Sequence, residues 1–152
     1  MNIGLIGIGT VGGGTYRVLK ENADEIFNKI GIEIKITHVA DKNLKLAKDT
    51  VDKEIIIEED AFALLEDSSI DTIVELIGGT GIALDIVRKA LESGKHVVTA
   101  NKALIAMHGE ELIKIANQNN VILIHVLKWL FLYLKSKVKR KLRHRNLSLD
   151  FS

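Results

Sequence analysis

The sequence contains no cysteine and no proline, and only 5% of its 152 residues are aromatic. Without cysteine the chain has no disulfides, no thiolate ligands for zinc and no cysteine nucleophile. Its five histidines lack the spacing of metal ligands, so we predict no metal site. The apolar stretch at residues 121–134 is too short to cross a bilayer, which takes about 20 residues. No basic region or cleavage site precedes the first strand pattern, and we expect a cytoplasmic protein.

The net charge of +1 hides a strong asymmetry along the chain. Residues 1–120 carry 13 Lys and Arg against 19 Asp and Glu, whereas residues 121–152 carry 8 against 1. Four of the seven aromatic residues also lie in that last segment. Such an abrupt shift indicates two different segments. We therefore predict a domain at residues 1–121 and an atypical basic and apolar tail at residues 122–152.

The chain begins with an apolar run at residues 3–8 that breaks into a glycine-rich turn, and a helix is predicted over residues 11–29. Gly7 would allow the tight turn, Gly9 would let the backbone approach a pyrophosphate, and Gly12 would let the helix pack on the strand. The free N–H groups of the helix start would face the anion. A glycine-rich turn without a ligand is the alternative interpretation, because this motif alone is weakly specific.

Residues 33–41 alternate in polarity and end in Asp41, as a second strand would. An acid at this position hydrogen-bonds the 2′-hydroxyl of an adenosine ribose and favours NAD. Lys42 and Lys45 follow closely and would instead suit the 2′-phosphate of NADP. A solvated turn with no ligand is the third possibility, so the sequence leaves the choice between NADP and NAD open.

Strand and helix patterns continue to alternate toward residue 120. Strands are predicted at residues 54–57, 72–77 and 96–99, and helices at residues 60–65, 82–92 and 103–119, with Asp60 capping the first of these helices. The strand at 72–77 leads into a second glycine turn, where ligands bind in open α/β sheets, although an ordinary connection is the alternative. The alternation predicts an α/β fold with a doubly wound parallel sheet.

Three blocks of residues resemble homoserine dehydrogenase. They are residues 7–14 (Gly-Ile-Gly-Thr-Val-Gly-Gly-Gly), residues 74–80 (Val-Glu-Leu-Ile-Gly-Gly-Thr) and residues 94–109, which contain Thr-Ala-Asn-Lys-Ala-Leu. The first block is shared with many dehydrogenases, whereas the other two are family-specific in combination. The resemblance covers residues 1–121 and implies the Rossmann-like nucleotide-binding domain of that enzyme.

The resemblance implies an oxidoreductase that reduces L-aspartate 4-semialdehyde to L-homoserine with NADPH or NADH, on the route to threonine and methionine. Lys102 matches a lysine that stabilises and protonates the developing alkoxide. The matching cofactor positions near the pyrophosphate are Gly9, Thr10, Val11 and Gly12. Those along the rest of the cofactor are Gly79 and Thr80, then Thr99, Ala100, Asn101 and Lys102 near the nicotinamide.

The resemblance stops after residue 121, where the family's Glu-Ala-Ser segment and substrate domain do not follow. We hypothesise that residues 122–152 are a truncated or frameshifted ending, and that the C-terminal substrate domain is absent. Membrane-surface or nucleic-acid binding by this basic tail is the less favoured alternative. Full-length relatives are expected to be homo-oligomers. Two functions stay open: homoserine dehydrogenase, or an NAD(P)-binding module without catalytic activity of its own. Another amino-acid reductase of similar fold is less favoured.

Overall fold

The computed structural model describes residues 1–126, which form a six-stranded parallel sheet flanked by helices. The strands are β1 (Asn2–Ile6), β2 (Lys35–Ala40), β3 (Ile56–Glu58), β4 (Thr72–Glu75), β5 (His96–Thr99) and β6 (Leu123–His125). Their order in the sheet is β3-β2-β1-β4-β5-β6. The chain moves outward from β1 to β3 and then returns to the other side of β1 with β4. This arrangement confirms the predicted doubly wound α/β fold.

Helices cover both faces of the sheet. They are α1 (Thr10–Glu21), α2 (Ala23–Ile30), α3 (Leu44–Thr50), α4 (Ala61–Glu66), α5 (Gly81–Glu92) and α6 (Lys102–Gln118). One core packs side chains of α4, α5 and α6 against the sheet, and the other packs those of α1 and α3. Alternate residues of β4 serve the two cores, Ile73 the first and Val74 the second. Burial on both faces explains why the central strand β1 is almost entirely apolar.

Two features of the helices differ from the sequence prediction. The single helix predicted at residues 11–29 is wrong, because Asn22 separates α1 from α2. The backbone N–H and the side-chain Nδ2 of Asn22 both donate to the carbonyl oxygen of Val18, at 3.1 and 2.8 Å. An asparagine side chain that competes for backbone partners favours such a helix end. Helix α3 was not predicted, although Asn43 caps it by accepting from the N–H of Leu46.

The last strand lies beyond the predicted domain boundary at residue 121. Strand β6 pairs in parallel with β5, with Leu123 opposite Val97 and His125 opposite Thr99. The sheet therefore continues past residue 121 into the segment that we assigned to the tail. Predictions for the rest of that tail, residues 127–152, fall outside the described residues. Among residues 1–126 no helix has the length and apolarity needed to span a bilayer.

Candidate functional site

The predicted site residues lie at the ends of four neighbouring strands. Asp41 follows β2, the first glycine turn follows β1, the second glycine turn follows β4, and Lys102 lies just beyond β5. Because all six strands are parallel, these ends meet at one edge of the sheet, here called the carboxyl edge. The order of the strands reverses between β1 and β4, at the centre of this edge. Open α/β sheets bind their ligands at such a reversal.

The first glycine turn is held in a conformation that only glycine adopts readily. Gly7 has a φ of 92°, and its N–H donates to the carbonyl oxygen of Ala40 at 2.9 Å. A Cβ on Gly12 would lie 1.9 Å from the carbonyl oxygen of Gly7. Any side chain at residue 12 would therefore push α1 away from the end of β1. These two glycines are required by the close approach of the helix to the strand.

Gly9 is different, because a Cβ there would meet no protein atom within 4 Å. It is the N-cap of α1, and no side chain caps this helix. The first hydrogen bond of α1 runs from the N–H of Gly13 to the carbonyl oxygen of Gly9 at 2.8 Å. The N–H groups of Thr10, Val11 and Gly12 thus have no acceptor within the helix. Open space beside uncapped N–H groups and the positive end of a helix dipole fits a pyrophosphate.

Asp41 braces the first glycine turn from β2. One carboxylate oxygen accepts the N–H of Ile8 at 2.7 Å, and the other accepts the N–H of Asn43 at 2.8 Å. Each oxygen can accept a further hydrogen bond, so the carboxylate is still able to take a ribose hydroxyl. Lys42 and Lys45 are exposed immediately after it. The geometry therefore holds both an acid and two cations beside the turn, and the choice between NADP and NAD stays open.

Glu75 connects the ends of β4 and β5, a role that the sequence analysis missed. Its side chain is fully buried. One carboxylate oxygen accepts the N–H groups of Ile77 and Gly78 at 2.9 and 3.3 Å, and the other accepts the hydroxyl of Thr99 at 2.5 Å. Because a buried carboxylate is costly without such donors, an acid inside the apolar run of residues 72–77 was the signal that could have identified it.

Asn101 completes the connection between the two loops. Its backbone N–H donates to the hydroxyl oxygen of Thr99 at 2.9 Å. Its side-chain Nδ2 donates to the carbonyl oxygen of Gly79, and its Oδ1 accepts the N–H of Leu104 at 3.0 Å and so caps α6. Gly78 and Gly79 have φ values of 70° and 73°, which suit glycine. The second glycine turn and the start of α6 are thereby fixed to each other.

Lys102 is the first residue of α6, and its side chain is exposed. A cation at a helix N-terminus opposes the helix dipole, so this lysine does not stabilise α6 through its charge. Asn101, which precedes it, is anchored as described above. Thr80, on the neighbouring loop, is the N-cap of α5, and its side chain makes no capping hydrogen bond, so α5 starts uncapped as α1 does. The arrangement therefore offers an ammonium group and a second uncapped helix start at the same edge.

A cavity elsewhere in the domain contains none of the predicted site residues. It has a volume of about 600 Å³ and is lined by residues that include Tyr16, Lys20, Ile36 and Asp52. Several lining residues belong to the first halves of β2 and β3 or precede them, far from the carboxyl edge. Within residues 1–126, no three His, Asp or Glu side chains are grouped to hold a metal ion. The carboxyl edge is therefore the candidate functional site.

Comparisons with known proteins give one answer for this domain. Residues 7–126 match the family model described as homoserine dehydrogenase, NAD binding domain. Homoserine dehydrogenase of Methylobacillus glycogenes is 58% identical over 106 residues, which are 70% of this chain and 26% of that protein. The enzyme of Neisseria gonorrhoeae is 46% identical over 122 residues, 80% of this chain and 28% of that protein.

A solved structure shows the same relationship in three dimensions. The homoserine dehydrogenase from Thiobacillus denitrificans superposes with a TM-score of 0.78 at 41% identity, covering 82% of this chain and 29% of that one. The chain thus spans between a quarter and a third of the length of these relatives. It belongs to the homoserine dehydrogenase family, and the part that matches is the NAD-binding domain.

Proposed function

We propose that this homoserine dehydrogenase domain binds NADPH or NADH at its carboxyl edge and serves the reduction of L-aspartate 4-semialdehyde to L-homoserine. The observation that carries the proposal is the uncapped start of α1 beside the open position at Gly9. Capping side chains satisfy such N–H groups at α3, α4 and α6, through Asn43, Asp60 and Asn101, whereas at α1 the uncapped start also faces open space. An anion would take that place at α1.

The residues proposed to bind each part of the cofactor lie in the loops that follow the strands. Gly7 shapes the turn, while the N–H groups of the α1 start and Gly9 hold the pyrophosphate. Asp41 contacts the adenosine ribose, with Lys42 and Lys45 available to a 2′-phosphate. Gly79 and Thr80 lie along the cofactor. Thr99, Ala100 and Asn101 lie near the nicotinamide, which is supported by their position beside the second glycine turn.

The proposed catalytic residue is Lys102. When bound, a reduced nicotinamide cofactor supplies a hydride to the aldehyde carbon of the substrate. The charge that develops on the aldehyde oxygen needs a donor, and the ammonium of Lys102 stabilises the alkoxide and transfers a proton to it. The anchored Asn101 fixes the backbone from which this ammonium reaches the substrate. The product is the hydroxyl group of L-homoserine.

Catalysis belongs in this proposal to the enzyme with its substrate domain, and cofactor binding belongs to the chain itself. Holding the aldehyde at reacting distance is worth up to about 7 to 11 kcal/mol. The family model that matches residues 7–126 is that of the NAD-binding domain alone. We therefore propose that this chain alone is an NAD(P)-binding module without turnover. The proposed partner of the domain is a small-molecule substrate, and we propose that the domain binds neither nucleic acid nor a membrane. The proposed location is the cytoplasm. The complete enzyme is proposed to be a homo-oligomer.

A fluorescence titration of the purified chain with NADPH and with NADH tests the binding. We expect saturable binding, and the stronger of the two ligands identifies the preferred cofactor. Subsequent addition of L-aspartate 4-semialdehyde should cause no oxidation. Absence of binding would overturn the proposed site, and steady oxidation would show that the chain, alone, holds the aldehyde.

The role of Lys102 is tested in the domain joined to a relative's substrate domain. Lys102→Ala should lower kcat about 10² to 10⁴-fold, which is the usual contribution of general acid catalysis. Cofactor affinity should stay within about twofold. The free energy of unfolding should not fall, because the charge of this lysine opposes the dipole of α6. Lys114→Ala, at an exposed position later on the same helix, is the matched control. Unchanged turnover in the Lys102 variant would refute its assignment as the acid.

A further inference from the structure

We propose that Glu75 is a positioning residue that sets the affinity for the nicotinamide half of the cofactor. Its carboxylate would do so by holding together the two loops that form that half of the site. The inference rests on the proposed function, because it takes the binding of NADPH or NADH at the carboxyl edge as given. It goes further because it makes the affinity for one half of the cofactor depend on a single buried acid.

The contacts of Glu75 all lead to the ends of β4 and β5. The N–H groups of Ile77 and Gly78 fix the exit of β4, and the hydroxyl of Thr99 fixes the last residue of β5. Asn101 then joins the same two loops a second time through the carbonyl of Gly79. The carboxylate is thus the buried end of a chain of hydrogen bonds whose other end is the turn that precedes Lys102.

A carboxylate suits this position better than an amide. The two backbone N–H groups and the hydroxyl of Thr99 all donate to it, and the hydroxyl oxygen in turn accepts from the N–H of Asn101. An ionised carboxyl group offers acceptors only, on both oxygens. A glutamine could keep its oxygen toward the two N–H groups, but its NH₂ group would then donate to the Thr99 hydroxyl, whose own proton would lose its acceptor. The fully buried carboxyl group thus accepts from three donors.

The adenosine half of the proposed site has supports of its own, although Ile77, which donates to Glu75, also packs beside Gly7. Asp41 braces the first glycine turn from β2 through the N–H of Ile8, and Gly12 packs against Gly7. No hydrogen bond that the structure gives Glu75 reaches these residues. Loosening the loops after β4 and β5 should consequently weaken contacts to the nicotinamide end of the cofactor more than those to the adenosine end, which Asp41 and Gly12 support independently.

The test compares a whole cofactor with its fragment. NADH and ADP-ribose, which lacks the nicotinamide, are titrated into the wild-type chain, Glu75→Gln and Thr99→Val, with Glu66→Gln as an exposed acid control. If NADPH is the tighter cofactor, NADPH and 2′-phospho-ADP-ribose replace this pair. We expect Glu75→Gln to weaken cofactor binding at least tenfold while fragment binding changes less than twofold. Thr99→Val, which removes one of the three donors, should show the same split with a smaller loss.

Each outcome decides the matter. An equal loss for cofactor and fragment, in variants that remain folded by circular dichroism, would mean that Glu75 supports the whole domain and would overturn the inference. Unchanged cofactor affinity in Glu75→Gln would overturn it as well. Failure of the wild-type chain to bind either ligand would instead refute the proposed function. If Glu75→Gln does not fold, the Thr99→Val titration decides between a split loss and an equal one.

Discussion

The two edges of the sheet differ in how their polar groups are hydrogen-bonded. At the amino edge, where the strands begin, the N–H of Asn2 donates to Asp71 at 2.7 Å. The buried Nζ of Lys95 donates to the carbonyl oxygens of Asp67 and Ile70 at 2.6 and 2.9 Å. At the carboxyl edge, the start of α1 has no cap and Gly9 faces open space. The groups named at the amino edge have protein partners, whereas the carboxyl edge leaves the N–H groups of the α1 start for a ligand.

The direction of the chain explains this difference. In a parallel sheet each strand leads at its carboxyl end into a helix start, so the positive ends of helix dipoles collect there. Helix ends with free carbonyl groups collect at the amino edge. A lysine that donates to carbonyls, such as Lys95, suits the amino edge, whereas an anionic ligand suits the other. Substitutions at the two edges should therefore affect stability and cofactor binding separately.

The largest expected effect is at Gly12, where the carboxyl edge has no room for a side chain. Gly12→Ala places a Cβ 1.9 Å from the carbonyl oxygen of Gly7, so backbone must move. Overpacking of this kind costs about 1 to 3 kcal/mol or more. We expect the free energy of unfolding in urea to fall by at least this amount, with loss of cofactor binding. A variant of wild-type stability would contradict the close packing of α1 on β1.

The matched substitution at Gly9 should separate binding from folding. Gly9→Ala adds a Cβ that meets no protein atom, and exchange of glycine for alanine at an N-cap changes stability only modestly, by up to about 1 kcal/mol. The added methyl would occupy the space proposed for the pyrophosphate. We expect at least a tenfold loss of NADPH or NADH affinity in the fluorescence titration. Full affinity in this variant would move the pyrophosphate away from the first glycine turn.

The third substitution tests the amino edge. Lys95→Met leaves two carbonyl oxygens without their donor, which should lower the free energy of unfolding by about 1 to 3 kcal/mol at neutral pH. Cofactor affinity should not change. Lys114→Met, at an exposed position, should stay within about 0.5 kcal/mol of the wild type. Weakened cofactor binding by the Lys95 variant would show that the two edges are coupled.

The same lysine predicts a dependence on pH. Burial lowers the pKa of Lys95, while Asp67 and Asp71 oppose this effect. At pH values between the lowered pKa of Lys95 in the folded state and its usual pKa of about 10.4, this lysine holds a proton in the unfolded chain but not in the folded chain. This contribution to the free energy of unfolding therefore rises with pH in that window. Urea unfolding at several alkaline pH values should show the rise in the wild type and its loss in Lys95→Met.

The local sequence pattern predicted those helices and strands whose structure depends on their own residues. The apolar runs predicted β1 and β4, and Asp60 was identified as the cap of α4, where it accepts the N–H of Phe62 at 2.9 Å. The pattern failed at Asn22, whose side chain breaks a helix that hydrophobic spacing would continue. It also failed at α3, a helix of seven residues capped by Asn43, because we predicted no element in that largely polar segment.

The sequence by itself determined the alternation of strands and helices, the glycine positions and the family resemblance, because each depends on residues close together in the chain. Only the tertiary structure decided what Glu75, Asp41 and Lys95 do. Glu75 meets Thr99 across 24 residues, Asp41 meets Ile8 across 33, and Lys95 reaches the carbonyl of Ile70 across 25. Partners so distant are set by the packing of strands side by side, which no local pattern records.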